Sequence, residues 1–336
     1  MKQIKRLIST VILMLFYCIN PQAEELKKDP KISAFFDVVL NGLEQKILVQ
    51  SNNLDNPILL WLHGGPGTSE MFINHYCMYN LYDSFTVVHW DQRGTALSYK
   101  TGLKGSDVSF NKILEDAWQL TELLKLKYKQ TKIFIIGHSF GSIIGIHLIE
   151  KYPENYYAYV GMGQVIDDAK SREITYNWFI NKLKQENDTV ELAKLTKSKR
   201  IPRSLIKRYH GIYVGNKTLI EVIKGSPYYY EGYIDTYFAS MKFVRHNISK
   251  NLATHEKNIL KEIQNLKVPV YFFEGKHDRI AACSPELVIE YMKSLQAPSK
   301  EIVWFEHSAH HPNIDEPAKF QRMLIDKVLK ENYLIN

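Results

Sequence analysis

Gly137-His138-Ser139-Phe140-Gly141 sets a serine midway between two glycines, the spacing a nucleophilic serine needs on a sharp strand-to-helix turn. At such a turn the backbone is strained and its neighbours must be minimal, so the hydroxyl stands exposed. The flanks fit. Residues 132–136 are a short apolar run rich in β-branched and aromatic side chains, which reads as a buried parallel strand. Residues 142–152 read as a helix that must stop before Pro153. Ser139 is therefore the candidate nucleophile, with a carbonyl carbon as its target.

A serine hydroxyl attacks only when a base removes its proton and a third group orients that base. Phe273-Glu274-Gly275-Lys276-His277-Asp278 leaves Asp278 in the loop after an apolar run. Glu306-His307-Ser308-Ala309-His310-His311-Pro312 leaves His310 in the loop after the next one. Asp278 is the candidate acid, with Glu274 and Glu306 as competitors; His310 is the candidate base, with His307 and His311 beside it. His63-Gly64-Gly65-Pro66-Gly67 follows another apolar run, and its glycines let backbone N–H groups turn toward a developing oxyanion. The amides of Gly65 and Phe140 are the expected oxyanion hole.

Loops of this kind need a scaffold that brings them to one edge. Strand-like runs at 46–50, 57–62, 85–90, 132–136 and 157–160 alternate with helix-like segments, of which 110–129 carries Ile113, Leu114, Ala117, Leu120, Leu124 and Tyr128 on one stripe. The alternation resumes with a strand at 268–273, a helix at 285–295, a strand at 301–305 and a helix at 317–331. Such a pattern predicts an α/β protein with a mostly parallel sheet, helices on both faces and a site at the carboxyl ends of the strands. Residues 165–266 break it with basic, amphipathic, helix-like segments. They read as a helical cap inserted into a core made of 30–164 and 267–336. The tyrosines at 228–230, 233 and 237 are candidate walls of the pocket beneath that cap.

His63-Gly64-Gly65-Pro66-Gly67, Asp91-Gln92-Arg93-Gly94 with Ser98, the turn at Ser139, Gly275 to Asp278, and Ser308-Ala309-His310 with Pro312 and Glu316-Pro317 together resemble the proline iminopeptidase family of serine peptidases, within the α/β-hydrolase fold. The motifs run from 63 to 317 in family order. The resemblance implies Ser139 as nucleophile, His310 as base, Asp278 as orienting acid, and Asp91 and Arg93 as structural braces beside the site. The order serine, acid, histidine agrees with that fold. The chain departs from the family where substrate is chosen, since neither a W-x-x-W-E nor an E-N-H-Y-F type segment, the usual seats of the cap glutamates that grip a free amino group, occurs. Glu173 and Glu231 are the substitutes by position.

The expected activity is a serine hydrolase releasing N-terminal residues from a short peptide or other small substrate, with no cofactor. A carboxylesterase is the first rival, because the same triad serves esters without an amine-binding glutamate. A non-enzymatic ligand-binding relative is the second, and an altered serine or histidine would have spoken for it. No H-E-x-x-H and no Cys/His cluster at ligand spacing appears, so no metal is expected. The 336 residues, 45% of them hydrophobic, suffice for a large core, and the net charge of +7 is spread without a basic stripe, which argues against nucleic acid as partner. Lys2, Lys5 and Arg6 precede an apolar stretch at 7–19 and then Pro21-Gln22-Ala23, the layout of a secretory signal peptide over 1–23. Export is the expectation, with membrane contact only if that segment is retained or lipidated at Cys18. The remaining cysteines, Cys77 and Cys283, leave pairing open.

Overall fold

Ile58–Leu62 (β3), Thr86–Asp91 (β4) and Ile133–His138 (β5) are buried at every position, which is why their sequences show continuous apolar runs rather than alternation. The computed structural model describes residues 29–215, 218–252 and 259–333. In it one eight-stranded sheet runs in the order β1-β2-β4-β3-β5-β6-β7-β8, with Tyr156–Met162 as β6, Val270–Gly275 as β7 and Lys300–Phe305 as β8. From β4 to β8 every neighbouring pair is parallel. Ile32–Leu40 (β1) and Leu43–Ser51 (β2) add an antiparallel hairpin at one edge.

The hairpin turns at Asn41-Gly42, both with positive φ, the conformation that an Asn-Gly pair adopts readily. β1 was not expected from the sequence. Its burial alternates between half-buried and exposed, so it lacks the apolar run that marks the inner strands.

Helices cover both faces. Phe110–Lys127 (α1) starts at Ser109, whose hydroxyl accepts the Lys112 amide, and buries Ile113, Ala117, Leu120 and Leu124. Phe140–Lys151 (α2) is buried along nearly its whole length against β5 and β6. Between β6 and β7 the chain forms α3 (Asp168–Gln185), α4 (Thr189–Ser198), α5 (Arg203–Arg208), α6 (Leu219–Lys224), α7 (Tyr233–Leu252) and α8 (Ile259–Glu262). Phe179, Leu183, Leu195, Leu205, Ile206 and Ile212 give this insertion a small core of its own. Two of its candidate wall tyrosines are packing residues instead. Tyr233 and Tyr237 are fully buried, and Tyr233 stacks on Phe72 at 4.2 Å, so they fasten α7 to the loop after β3. Tyr228 instead bonds Gln50 at 3.0 Å.

Beyond β7, Pro285–Ser294 (α9), Pro312–Asp315 (α10) and Pro317–Met323 (α11) follow, and the expected last helix continues past α11 through a wider π turn at Leu324–Leu329. The proposed signal segment, 1–23, lies outside the described residues. Among the described residues no helix is long and apolar enough to cross a membrane.

Candidate active site

The loops after β3, β5, β7 and β8 meet at the carboxyl edge of the sheet and bring together every residue of the expected triad. Ser139 holds φ 53° and ψ −117°, a left-sided conformation costly for a residue with a Cβ, between the end of β5 and the start of α2. Its amide donates to Met162 O at 2.9 Å, which fixes the turn against β6. His310 Nδ1–H donates to Asp278 Oδ2 at 2.7 Å, and the other carboxylate oxygen accepts the Ile280 amide at 2.8 Å. Both side chains are buried. The competitors stand aside. Glu274 is engaged by the Gln164 amide at 3.0 Å, and its burial pushes its carboxyl well above the usual range. Glu306 pairs with Lys276 in the open, His307 is exposed, and His311 stacks on Tyr213 at 4.5 Å.

Close packing sets the distances. Gly275 lies so near the carbonyl of Ala309 that a Cβ there would collide with backbone, which lets the loops bearing Asp278 and His310 touch. Gly65 sits at φ 121°, open to glycine alone, where a Cβ would collide with the amides of Gly67 and Thr68. Among the described residues the amides of Gly65 and Phe140 donate to no protein acceptor, as an oxyanion hole requires.

Asp91 and Arg93 are braces, as the resemblance implied. Asp91 accepts Ser69 Oγ at 2.5 Å and the Leu97 amide at 2.9 Å, and burial pushes its carboxyl up to about 7. Arg93 grips Asp116 through two nitrogens, each at 2.6 Å. His63 accepts the Gln92 amide on Nε2 at 3.2 Å, so Nδ1 carries the proton donated to Gly64 O, and burial lowers its pKa to about 4.

Two neighbours of the triad had no signal in the sequence. Cys283 is a free, buried thiol whose Sγ lies 3.9 Å from Ser139 Oγ, and the serine hydroxyl faces it rather than bonding His310. Cys77 is also free, so the two cysteines do not pair. Cys283, Asp278 and His310 keep a ligating atom each within 4.8 Å of one another, but the last two are already joined by the triad hydrogen bond. The second neighbour is Glu70, whose carboxylate takes His138 Nδ1–H at 2.5 Å and Trp61 Nε1–H at 2.6 Å. Burial opposes both charges, yet the Glu70 carboxylate raises the His138 pKa and the His138 imidazolium lowers that of Glu70.

The expected amine-binding residues lie apart from this cluster. Glu173, on α3, is exposed at the mouth of a cleft of about 790 Å³ that it shares with Arg172, Tyr176, Lys199, Ile201 and, from the loop between Asp278 and Cys283, Ala281. Glu231 is exposed just before α7.

Comparison with known proteins gives the same fold and narrows the class. Over 310 residues the chain is 29% identical to a probable aminopeptidase, YbaC, of Bacillus subtilis, covering 87% of this chain and 95% of that protein. It is 22% identical to a proline iminopeptidase of Saccharolobus solfataricus, over 82% and 87% of the two chains. The crystal structure of the proline iminopeptidase of Mycobacterium smegmatis superposes with a TM-score of 0.67 at 13% identity, covering 90% of this chain and all of the other, a likeness of fold. Residues 56–317 match the family described as serine aminopeptidase, S33, so this chain, with its α/β-hydrolase fold, belongs to that family of hydrolases.

Proposed function

We propose that this protein releases N-terminal residues, proline or another small residue, from short peptides through an acyl-enzyme on Ser139. The observation that carries the reading is the strained Ser139 turn, whose hydroxyl lies 3.9 Å from the Cys283 thiol that in turn adjoins the 2.7 Å His310–Asp278 pair. Asp278 holds the imidazole with Nδ1 protonated, leaving Nε2 free as base. Once the hydroxyl turns from Cys283 to Nε2, His310 takes its proton while Oγ bonds to the carbonyl carbon. The oxygen then carries the negative charge toward the amides of Gly65 and Phe140. As the C–N bond breaks, His310 gives the proton to the leaving amine. Water enters, loses a proton to His310, and cleaves the acyl ester, which returns Ser139 to its starting state.

A carboxylesterase is the second reading. It is favoured by the exposure of Glu173 and Glu231, since a substrate ammonium drawn into a dry site needs a close carboxylate. Rates against prolyl, alanyl and leucyl amides beside short-chain nitrophenyl esters separate the two. The aminopeptidase reading expects turnover of free-amine amides that N-acetylation abolishes. Turnover confined to the esters would replace it. Export belongs to the same reading, and is tested by the N-terminal residue of the protein recovered outside the cytoplasm, expected near residue 24.

A further inference from the structure

Glu70 and His138 form a second buried acid–histidine pair next to the triad, and the mechanism above does not use it. Its bonds reach both halves of the catalytic machinery. His138 Nε2–H donates to the main-chain carbonyl of His310 at 2.9 Å, and the two imidazoles lie 4.7 Å apart between centroids. Glu70 Oε1 accepts His138 Nδ1–H at 2.5 Å and, at 3.4 Å, the amide of Gly64, whose neighbour Gly65 supplies the oxyanion hole. A carbonyl can only accept, so Nε2 carries a proton. Glu70 takes N–H bonds from Trp61 and Gly64 as well, which favours its carboxylate form and with it a proton on Nδ1 too. The pair is thus a closed ion pair with both ring nitrogens and both carboxylate oxygens engaged, 2% exposed on each side.

We propose that Glu70 and His138 are positioning residues that hold the catalytic base and the oxyanion loop at a fixed separation. His138 fixes the backbone of His310 from below, and Glu70 fixes His138 and Gly64 together. Base and oxyanion donors act on the same carbonyl, so a shift of either loop weakens the transition state more than substrate binding. The inference rests on the serine mechanism proposed above.

The test separates the two bonds of the histidine. His138→Asn keeps a donor near Nδ1 for Glu70 but gives up the bond to His310, whereas His138→Gln keeps a donor near Nε2 for that carbonyl. Rates are taken per active site, counted by fluorophosphonate titration, with Tm recorded for each variant. His138→Asn is expected to lower kcat about tenfold or more with KM within about threefold, and His138→Gln to recover most of the loss. Glu70→Gln, nearly isosteric, is expected to lower kcat about tenfold, and Glu70→Gln with His138→Asn to lose clearly less than the product of the two single losses, since the bonds of the pair act together. Should His138→Asn fail to fold, Glu70→Gln decides alone. Wild-type kcat per active site in the folded variants, or independent losses that multiply in the double variant, would overturn the proposal. Failure of the wild type itself to react with fluorophosphonate would instead sink the serine mechanism, which keeps the two failures apart.

Discussion

Ser139 bears a backbone penalty of about 1–3 kcal/mol for its positive φ, and the fold retains it because a relaxed serine would point its hydroxyl elsewhere. Ser139→Ala should abolish turnover and fluorophosphonate labelling while leaving Tm near the wild-type value; undiminished labelling would refute the assignment. His310→Ala should cost about three orders of magnitude or more in kcat, as loss of the base does in triads, whereas the exposed His307→Ala should stay close to wild type. Under the aminopeptidase reading, Glu173 is the candidate carboxylate, because it shares a cleft with Ala281 of the acid's loop. Glu173→Gln should raise KM for free-amine amides about tenfold, equal to about 1.4 kcal/mol, without touching esters, and Glu231→Gln should change neither. Equal effects on amide and ester would remove Glu173 from amine recognition. The triad was legible because each member sits in a local motif. Glu70 and Cys283 were not: each follows a motif residue, Gly65 or Asp278, by a few positions, but their contacts with His138 and Ser139 span 68 and 144 residues and no local spacing announces them.

Elements explain why those residues meet. β3, β5, β7 and β8 are parallel, so every catalytic loop leaves the same edge, and the apolar runs that made the strands legible also made that edge predictable. What spacing could not give was how closely the loops approach. The glycine after β7 is the clearest case. Gly275→Ala places its methyl against the Ala309 carbonyl, a backbone atom with no rotamer to yield, and must displace the loop that carries His310. We expect it to lower Tm and to reduce kcat at least about tenfold, as a displacement near 1 Å can do, with the crystal structure showing a lengthened His310–Asp278 distance. Wild-type kcat in a folded Gly275→Ala would show that the loops tolerate separation. β1 stayed hidden for the opposite reason, since a half-exposed edge strand needs no apolar run.

At the scale of the whole molecule the inserted helices do more than cover the sheet. Ile212 O accepts the His310 amide at 3.1 Å, Gly211 O accepts that of Arg279 at 3.0 Å, and the Arg279 guanidinium lies 4.6 Å over the Trp178 ring, so the insertion grips the base's loop and the acid's loop together. The change from strand-like to amphipathic segments marked where these helices fall between β6 and β7, but their contacts with the rest of the chain are long-range and left no local trace. The same dense interior makes the fold sensitive to acid through histidines that it buries neutral. His89 on β4 is 1% exposed, receives Asn74 Nδ2–H on Nδ1 at 3.4 Å, and has no partner for Nε2 among the described residues. Burial lowers its pKa from 6.5 to about 4. A depressed histidine pKa means that the unfolded chain binds the proton first, so the stability is fully present above 6.5 and is lost as pH falls toward 4. Replacing His89 with glutamine removes that proton uptake. Between pH 7.5 and 4.5 the wild type should therefore lose about 2–3 kcal/mol more unfolding free energy than His89→Gln, read from urea midpoints at each pH. Parallel losses in the two proteins would mean that His89 is charged in the native state or already relieved by water, and acid sensitivity would have to be sought in His63 or His311.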